Sequence, residues 1–186
     1  VVGQAMRGLR DRVVLVSKVY PWHAGKAAMH RACENSLRRM QTDYLDMYLL
    51  HWRGDIPLQE TVEAMEKLVA EGKIRRWGVS NLDTEDMQAL WRTADGEHCA
   101  TNQVLYHLAS RGIEYDLLPW CQQHTLPVMA YCPLAQAGRL RDGLFQHTDI
   151  IKMANERGVT VAQLLLAWVI RHPGMLAIPK AASIEH

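Results

Sequence analysis

Several residues able to do chemistry stand where short apolar runs end. Lys18 closes the run 13–18 (VVLVSK), and His51 closes 44–51 (YLDMYLLH). Ser80 and Asn81 end 76–81 (RWGVSN), and Asn102 and Gln103 lie within 100–105 (ATNQVL). Tyr131 ends 128–131 (VMAY), and Lys180 follows 175–179 (MLAIP). Each has an ordinary structural explanation. A strand-end lysine is often a solvated terminus. A lone histidine is often a hydrogen-bonded packing residue. Ser-Asn after a strand is a common helix cap, and Tyr131 before Cys132-Pro133 could pack at a turn. Their shared placement is the stronger signal. A strand interior excludes such groups, because burying them unpaired costs several kcal/mol.

The elements that must position them alternate in type. The runs above are apolar on both faces, as in a parallel sheet covered by helices. Between them lie helical patterns. In 57–72, Leu58, Val62, Met65, Leu68 and Val69 form one apolar stripe, and Gly72 is a natural stop. Residues 27–40 make a second helix, with Ala32, Cys33, Leu37 and Met40 inward. Asp83-Thr84-Glu85 opens a third, its acidic residues suiting a helix N-terminus. Residues 112–123 and 159–172 are predicted helical, whereas 138–143 reads as an inserted loop. The first nine residues read as part of a helix that begins at Val1, which points to a fragment or a processed product.

An α/β chain of this kind is either an open doubly wound sheet or a closed barrel. The βα period of roughly thirty residues favours the eight-unit barrel. No strand is followed by the GxGxxG turn of dinucleotide-binding open sheets. About six strands are legible where a (β/α)8 barrel needs eight, so the barrel is expected to be incomplete. In such a barrel all strand C-termini face one mouth, and the polar groups would converge there.

Composition narrows the rest. The chain has 186 residues, 48% hydrophobic and 22% charged, with a formal net charge of +1. That suits one domain over 1–186 and gives no global electrostatic reason for nucleic-acid or membrane partners. The basic clusters Arg38-Arg39 and Lys73-Ile74-Arg75-Arg76 read as solvated helix ends. Cys33, Cys99, Cys121 and Cys132 form no CxxC pair, which suggests reduced thiols in the cytoplasm and no metal site. The longest apolar run, 159–170, is too short to span a bilayer.

The wording of these segments resembles the aldo-keto reductase family. The resemblance is carried by Ser17-Lys18, Asp46-Met47-Tyr48-Leu49-Leu50-His51-Trp52 and Gly72-Lys73-Ile74-Arg75-Arg76-Trp77-Gly78-Val79-Ser80-Asn81. Asn102-Gln103-Val104, Ala130-Tyr131-Cys132-Pro133-Leu134 and Ile178-Pro179-Lys180 complete it, in the family's order and spacing. The wording is most similar to a bacterial, methylglyoxal-reductase-like branch.

The resemblance implies an NADP(H)-dependent oxidoreductase that reduces aldehydes or ketones, with NAD(H) the lesser cofactor. Lys18 would lower the pKa of a catalytic tyrosine, and His51 would orient the substrate carbonyl. Ser80, Asn81 and Gln103 would hydrogen-bond the nicotinamide carboxamide, and Tyr131 would stack on its ring. Cys132, Leu134 and Gln136 would lie along the pyrophosphate. Lys180 would meet the 2′-phosphate, although Ala181 and His186 replace the serine and arginine often found beyond it. Tyr20, Trp22 and Trp52 are candidate walls of the substrate pocket. The family's Asp-x4-Tyr element has no match upstream of Lys18. Asp11 precedes a strand, and Tyr20 does not match the family's tyrosine. The first two strands and the C-terminal helices are therefore expected to be absent. Two other functions compete: a nicotinamide-binding auxiliary or non-catalytic remnant, and a Schiff-base lyase using Lys18.

Overall fold

The computed structural model describes residues 1–181 and 183. Its strands are β1 (Val16–Val19), β2 (Leu45–Leu50), β3 (Ile74–Ser80), β4 (Asn102–Leu105), β5 (Val128–Tyr131) and β6 (Met175–Ile178). They follow in sheet order β1-β2-β3-β4-β5-β6. The helices are α1 (Val2–Ala5), α2 (Lys26–Met40), α3 (Leu58–Ala70), α4 (Thr84–Trp91), α5 (Leu117–Gln123), α6 (Arg139–Gln146), α7 (Thr148–Glu156) and α8 (Val161–Val169). The chain divides into two compact units, Val1–Asn102 and Gln103–His186.

The first unit is built on parallel β1, β2 and β3. Val19, Leu50 and Val79 lie side by side, exposed by 2% or less. Helix α3 follows the expected stripe: Leu58, Val62, Met65 and Leu68 are buried, together with Thr61 and Ala64. It stops at Gly72, whose φ of +70° is the left-handed conformation glycine adopts without strain. The Gly72 and Lys73 amides return to the Val69 and Leu68 carbonyls, satisfying the helix end. On α2, Cys33 and Leu37 point inward as expected, and so do Met29 and Ser36, whereas Ala32 and Met40 are only half-buried. Asp83 caps α4 by accepting a hydrogen bond from the Asp86 amide at 2.8 Å.

Gly78 allows a close approach inside this sheet. A Cβ there would lie 2.6 Å from the Thr101 carbonyl oxygen and 3.0 Å from Leu49 Cδ2. At the other end of β2, Asp46 accepts the Leu15 amide at 2.9 Å and pairs with Arg10 at 2.8 Å and Arg75 at 3.3 Å. Burial works to raise the Asp46 pKa, but the amide and the two guanidinium groups outweigh it and hold the carboxyl below its ordinary range.

The second unit pairs β5 with β6 in parallel. Tyr106, Ala130 and Val169 are fully buried, and Ile113, Trp168, Met175 and Ala177 pack against them. Helix α8 opens with a capping box, Thr160 and Gln163 bonding each other's backbone. Glu114 is the hub of an ion cluster, 2.6 Å from Arg111 and 2.7 Å from Arg171, and it accepts the Tyr106 hydroxyl at 2.6 Å. Hydrogen bonding to Arg111 first, and then to Tyr106 and Arg171, brings its pKa down to about 2 against the opposing effect of burial.

The structure corrects several sequence expectations. The opening helix is only four residues long and is followed by a 3-10 turn at Arg10–Arg12. The span 138–143 is not a loop: α6 occupies most of it, with Arg141 over the Phe145 ring, and α7 follows. The predicted helix 112–123 is a 3-10 turn at Gly112–Glu114 and a separate α5, which Asp116 starts by accepting the Leu117 amide. Arg38 and Arg39 do end a helix, but the second basic cluster does not: the strand expected from Arg76 starts at Ile74, so Arg75 also lies in β3.

Candidate active site

In the first unit, strand register builds the site. Lys18 is paired with Leu49, and Val19 with Leu50. Leu50 is also paired with Val79. One step beyond this row stand Tyr20, His51 and Ser80. The His51 amide donates to the Val19 carbonyl at 2.9 Å, which holds the chain in register past the end of β2. Because side chains alternate along a strand, Lys18 and Tyr20 share a face with Leu49 and His51, and with Gly78 and Ser80. A lysine, an imidazole and a serine hydroxyl thus stand on one face of adjoining strand ends.

Burial first, and Lys18 second, lower the His51 pKa below its ordinary value of 6.5. The ring is therefore neutral at physiological pH, with one nitrogen a donor and the other an acceptor. Ser80 is fully buried. Asn81 has a φ of +59°, and its side-chain amide donates to the His51 carbonyl at 3.1 Å. The segment after β3 is thereby tied to the histidine-bearing segment after β2.

The three expected pocket aromatics gather around His51. Tyr20 stacks on Trp22 at 4.5 Å between ring centroids and on His51 at 5.4 Å. Trp52 lies 4.6 Å from the His51 ring and meets Tyr20 edge-on at 5.5 Å. These rings remain well exposed, Trp22 at 59% and Trp52 at 36%. Exposed rings stacked around an imidazole form an apolar wall open to a ligand.

Asn102, also in this unit, is fully buried. Its Nδ2 donates to the Leu82 carbonyl at 2.8 Å, while its Oδ1 has no partner among the described residues. A buried acceptor of this kind is uncommon in a folded chain. The sequence marks Asn102 as polar within a strand; only the fold reveals the orphaned oxygen.

The second unit carries the other expected residues. Gln103 is buried, its Nε2 2.7 Å from the Met129 sulfur. Tyr131 is half-buried, and burial first, then Cys132, raises its phenol pKa. The chain then turns sharply, with positive φ at Cys132, Ala135 and Gly138. The Ala135 amide closes the turn on the Cys132 carbonyl at 2.9 Å. Cys132 and Leu134 are half-buried, and Gln136 is exposed. Lys180 and Ala181 are exposed, and His186 lies outside the described residues. Among the described residues no group of three or more His, Cys, Asp or Glu is placed to hold a metal ion. Nor is any helix long and apolar enough to cross a membrane.

Two contacts beside this site have no sequence signal. Arg53 pairs with Asp86 at 2.8 Å across a separation of 33 residues. A Cβ on Gly54 would fall 2.5 Å from Pro21 Cβ. Neither follows a helical or strand period, so neither could be read before the fold was known.

Comparison with known proteins assigns the chain to a family. The profile of the aldo/keto reductase family matches residues 1–186. The chain is 66% identical over its whole length to methylglyoxal reductase YeaE of Escherichia coli, covering 66% of that protein. It is 35% identical to a glyoxal reductase of Bacillus subtilis, with 95% of the chain matching 60% of that protein. An aldo/keto reductase from Klebsiella pneumoniae, solved with NADP and acetate, is 96% identical with a TM-score of 0.96. That match covers 100% of this chain and 65% of that one, and a structure of an aldo-keto reductase from the same species with NADPH matches equally. The chain thus spans slightly less than two thirds of these proteins. The six-stranded α/β sheet is the corresponding part of the barrel expected from the sequence. By motif, strand order and whole-length match, the chain belongs to the aldo/keto reductase family.

Proposed function

We propose that the chain provides part of the active site of an NADP(H)-dependent carbonyl reductase acting on small aldehydes or ketones. The observation that carries this reading is the row Tyr20, His51 and Ser80 one step past paired strand ends, with Lys18 one row behind. NADPH, when bound, supplies the hydride. His51, neutral at physiological pH, orients the substrate carbonyl through a ring N–H. Lys18 supplies a cation that favours an anionic oxygen beside it, as a proton-donating tyrosine requires. Tyr20, Trp22 and Trp52 exclude water from the carbonyl and select small apolar substituents.

Ser80, Asn81 and Gln103 hold the nicotinamide carboxamide, and Tyr131 covers the ring. Cys132, Leu134 and Gln136 line the pyrophosphate. Lys180 pairs with the 2′-phosphate and favours NADPH over NADH. The substrate class follows the methylglyoxal and glyoxal reductases to which the chain is similar. Residues 1–186 act as part of one barrel domain. With all four cysteines free, the cytoplasm is the compartment that suits the protein.

The test combines binding and turnover. NADPH fluorescence should be quenched saturably by the protein. The 186-residue polypeptide should reduce methylglyoxal only slowly, because residues 1–17 hold no Asp-x4-Tyr element. Adding an N-terminal segment that carries this element should restore turnover, and Lys18→Met or His51→Ala should then abolish it. Binding without restored turnover would favour a cofactor-binding role instead. Absence of NADPH binding, with a borohydride-trapped adduct on Lys18, would favour a lyase.

A further inference from the structure

We propose that Arg53 and Asp86 form a latch that positions Trp52, and with it the wall against which an uncharged carbonyl compound docks. The proposal rests on the site reading above for the ligand, but not for the latch. Residues 51–54 leave β2 carrying His51 and Trp52. On one side Gly54 lies so close to Pro21 that no side chain fits between them. On the other side Arg53 Nη1 reaches Asp86 Oδ1 at 2.8 Å, in the first turn of α4. Helix α4 is itself fixed, with Met87 and Leu90 buried and Asp83 capping its start. The Asn81 amide holds the His51 carbonyl at 3.1 Å.

Trp52 sits between these anchors, yet it is 36% exposed and meets its neighbours chiefly through rings: His51 at 4.6 Å, Tyr20 at 5.5 Å and Trp22 at 5.8 Å. Ring contacts alone tolerate sliding and tilting. The ion pair on the next residue removes that freedom, because it ties the backbone beside Trp52 to a rigid helix. Arg53 and Asp86 are positioning residues here, acting through Trp52. Both are partly exposed, with side-chain exposures of 39% and 27%, so the pair should weaken as salt screens it.

The experiment follows the Trp52 indole N–H by ¹⁵N-resolved NMR, with Trp52→Phe assigning the signal. Asp86→Asn should shift and broaden the resonance. Asp86→Glu, which keeps the charge, should restore it largely. Glu85→Gln removes a carboxylate from the same helical turn without touching Arg53, and should leave it unchanged. In the unmodified protein, added NaCl should move the signal toward its position in Asp86→Asn, and should not move it in that variant. Binding of hydroxyacetone, an uncharged probe, should weaken in Asp86→Asn roughly two- to fivefold, the scale an exposed ion pair carries.

An unchanged Trp52 signal in a folded Asp86→Asn, or equal shifts in Glu85→Gln, would overturn the latch. A shifted signal with no hydroxyacetone binding to any form would sustain the latch and contradict the substrate-site reading. If Asp86→Asn fails to fold, salt titration of the unmodified protein decides: a Trp52 resonance indifferent to salt overturns the proposal.

Discussion

The two compact units are built on different terms. In the first, β2 and β3 run between buried layers, and Trp77, Tyr48, Leu49, Met65 and Ile74 are each exposed by 2% or less. In the second, β6 alternates between half-buried and exposed residues, with Leu176 at 51% and Ile178 at 37%. Helix α6 has no buried residue. The first unit sets its candidate catalytic side chains by strand register over a close-packed base. The second carries its candidate cofactor loop on a thinner core, reinforced by the charged cluster around Glu114. A reacting carbonyl needs side chains held to fractions of an ångström.

The largest test of this contrast is side-chain truncation. Trp77→Ala removes a ring that is 2% exposed and donates to Glu66 at 2.6 Å. Denaturant unfolding should show a loss of about 3–5 kcal/mol. Leu140→Ala, in the unburied α6, should cost no more than about 0.5 kcal/mol. Comparable losses at the two sites would break the comparison.

The next test uses acid. Glu114 has a folded pKa of about 2 against an ordinary 4.5. A depressed carboxylate contributes stability that is fully present above 4.5 and lost as pH falls through about 2. Glu114→Gln should remove about 1 kcal/mol at neutral pH and flatten the acid dependence over that window. Urea midpoints measured from pH 6 to pH 2 would check this; an unaltered acid slope in the variant would remove Glu114 from the account.

A smaller effect should be equal in both units. Asp83 caps α4 through the Asp86 amide, and Thr160 caps α8 through the Gln163 amide. Replacing either by Ala should cost about 1 kcal/mol. Caps are local, so a large difference between the two losses would show that one helix start does more than end a helix.

Much of this was legible in the sequence. β5 has the expected bounds, and β6 ends one residue sooner. α3 and the α4 cap are where period and composition put them. Buried parallel strands and amphipathic helices write their burial into residue spacing, and such elements are easy to read. The stretch 138–143 reads as a loop because Gly138, Gly143 and its scattered charges hide the start of α6, a surface helix with no buried residue. Lys18, His51 and Ser80 were visible because a polar group at the end of an apolar run is conspicuous. Asn102 was visible as a polar residue, but its orphaned Oδ1 was not. The Arg53–Asp86 pair and the Gly54–Pro21 contact were invisible, because contacts between distant loops leave no period behind.

The central proposal is that this chain contributes residues to a nicotinamide-dependent carbonyl site. Fluorescence titration with NADPH and NADH tests it most directly. The account predicts saturable quenching by both, with NADPH bound several-fold tighter and Lys180→Ala removing most of that difference. No saturable quenching with either nucleotide by the folded protein would contradict it.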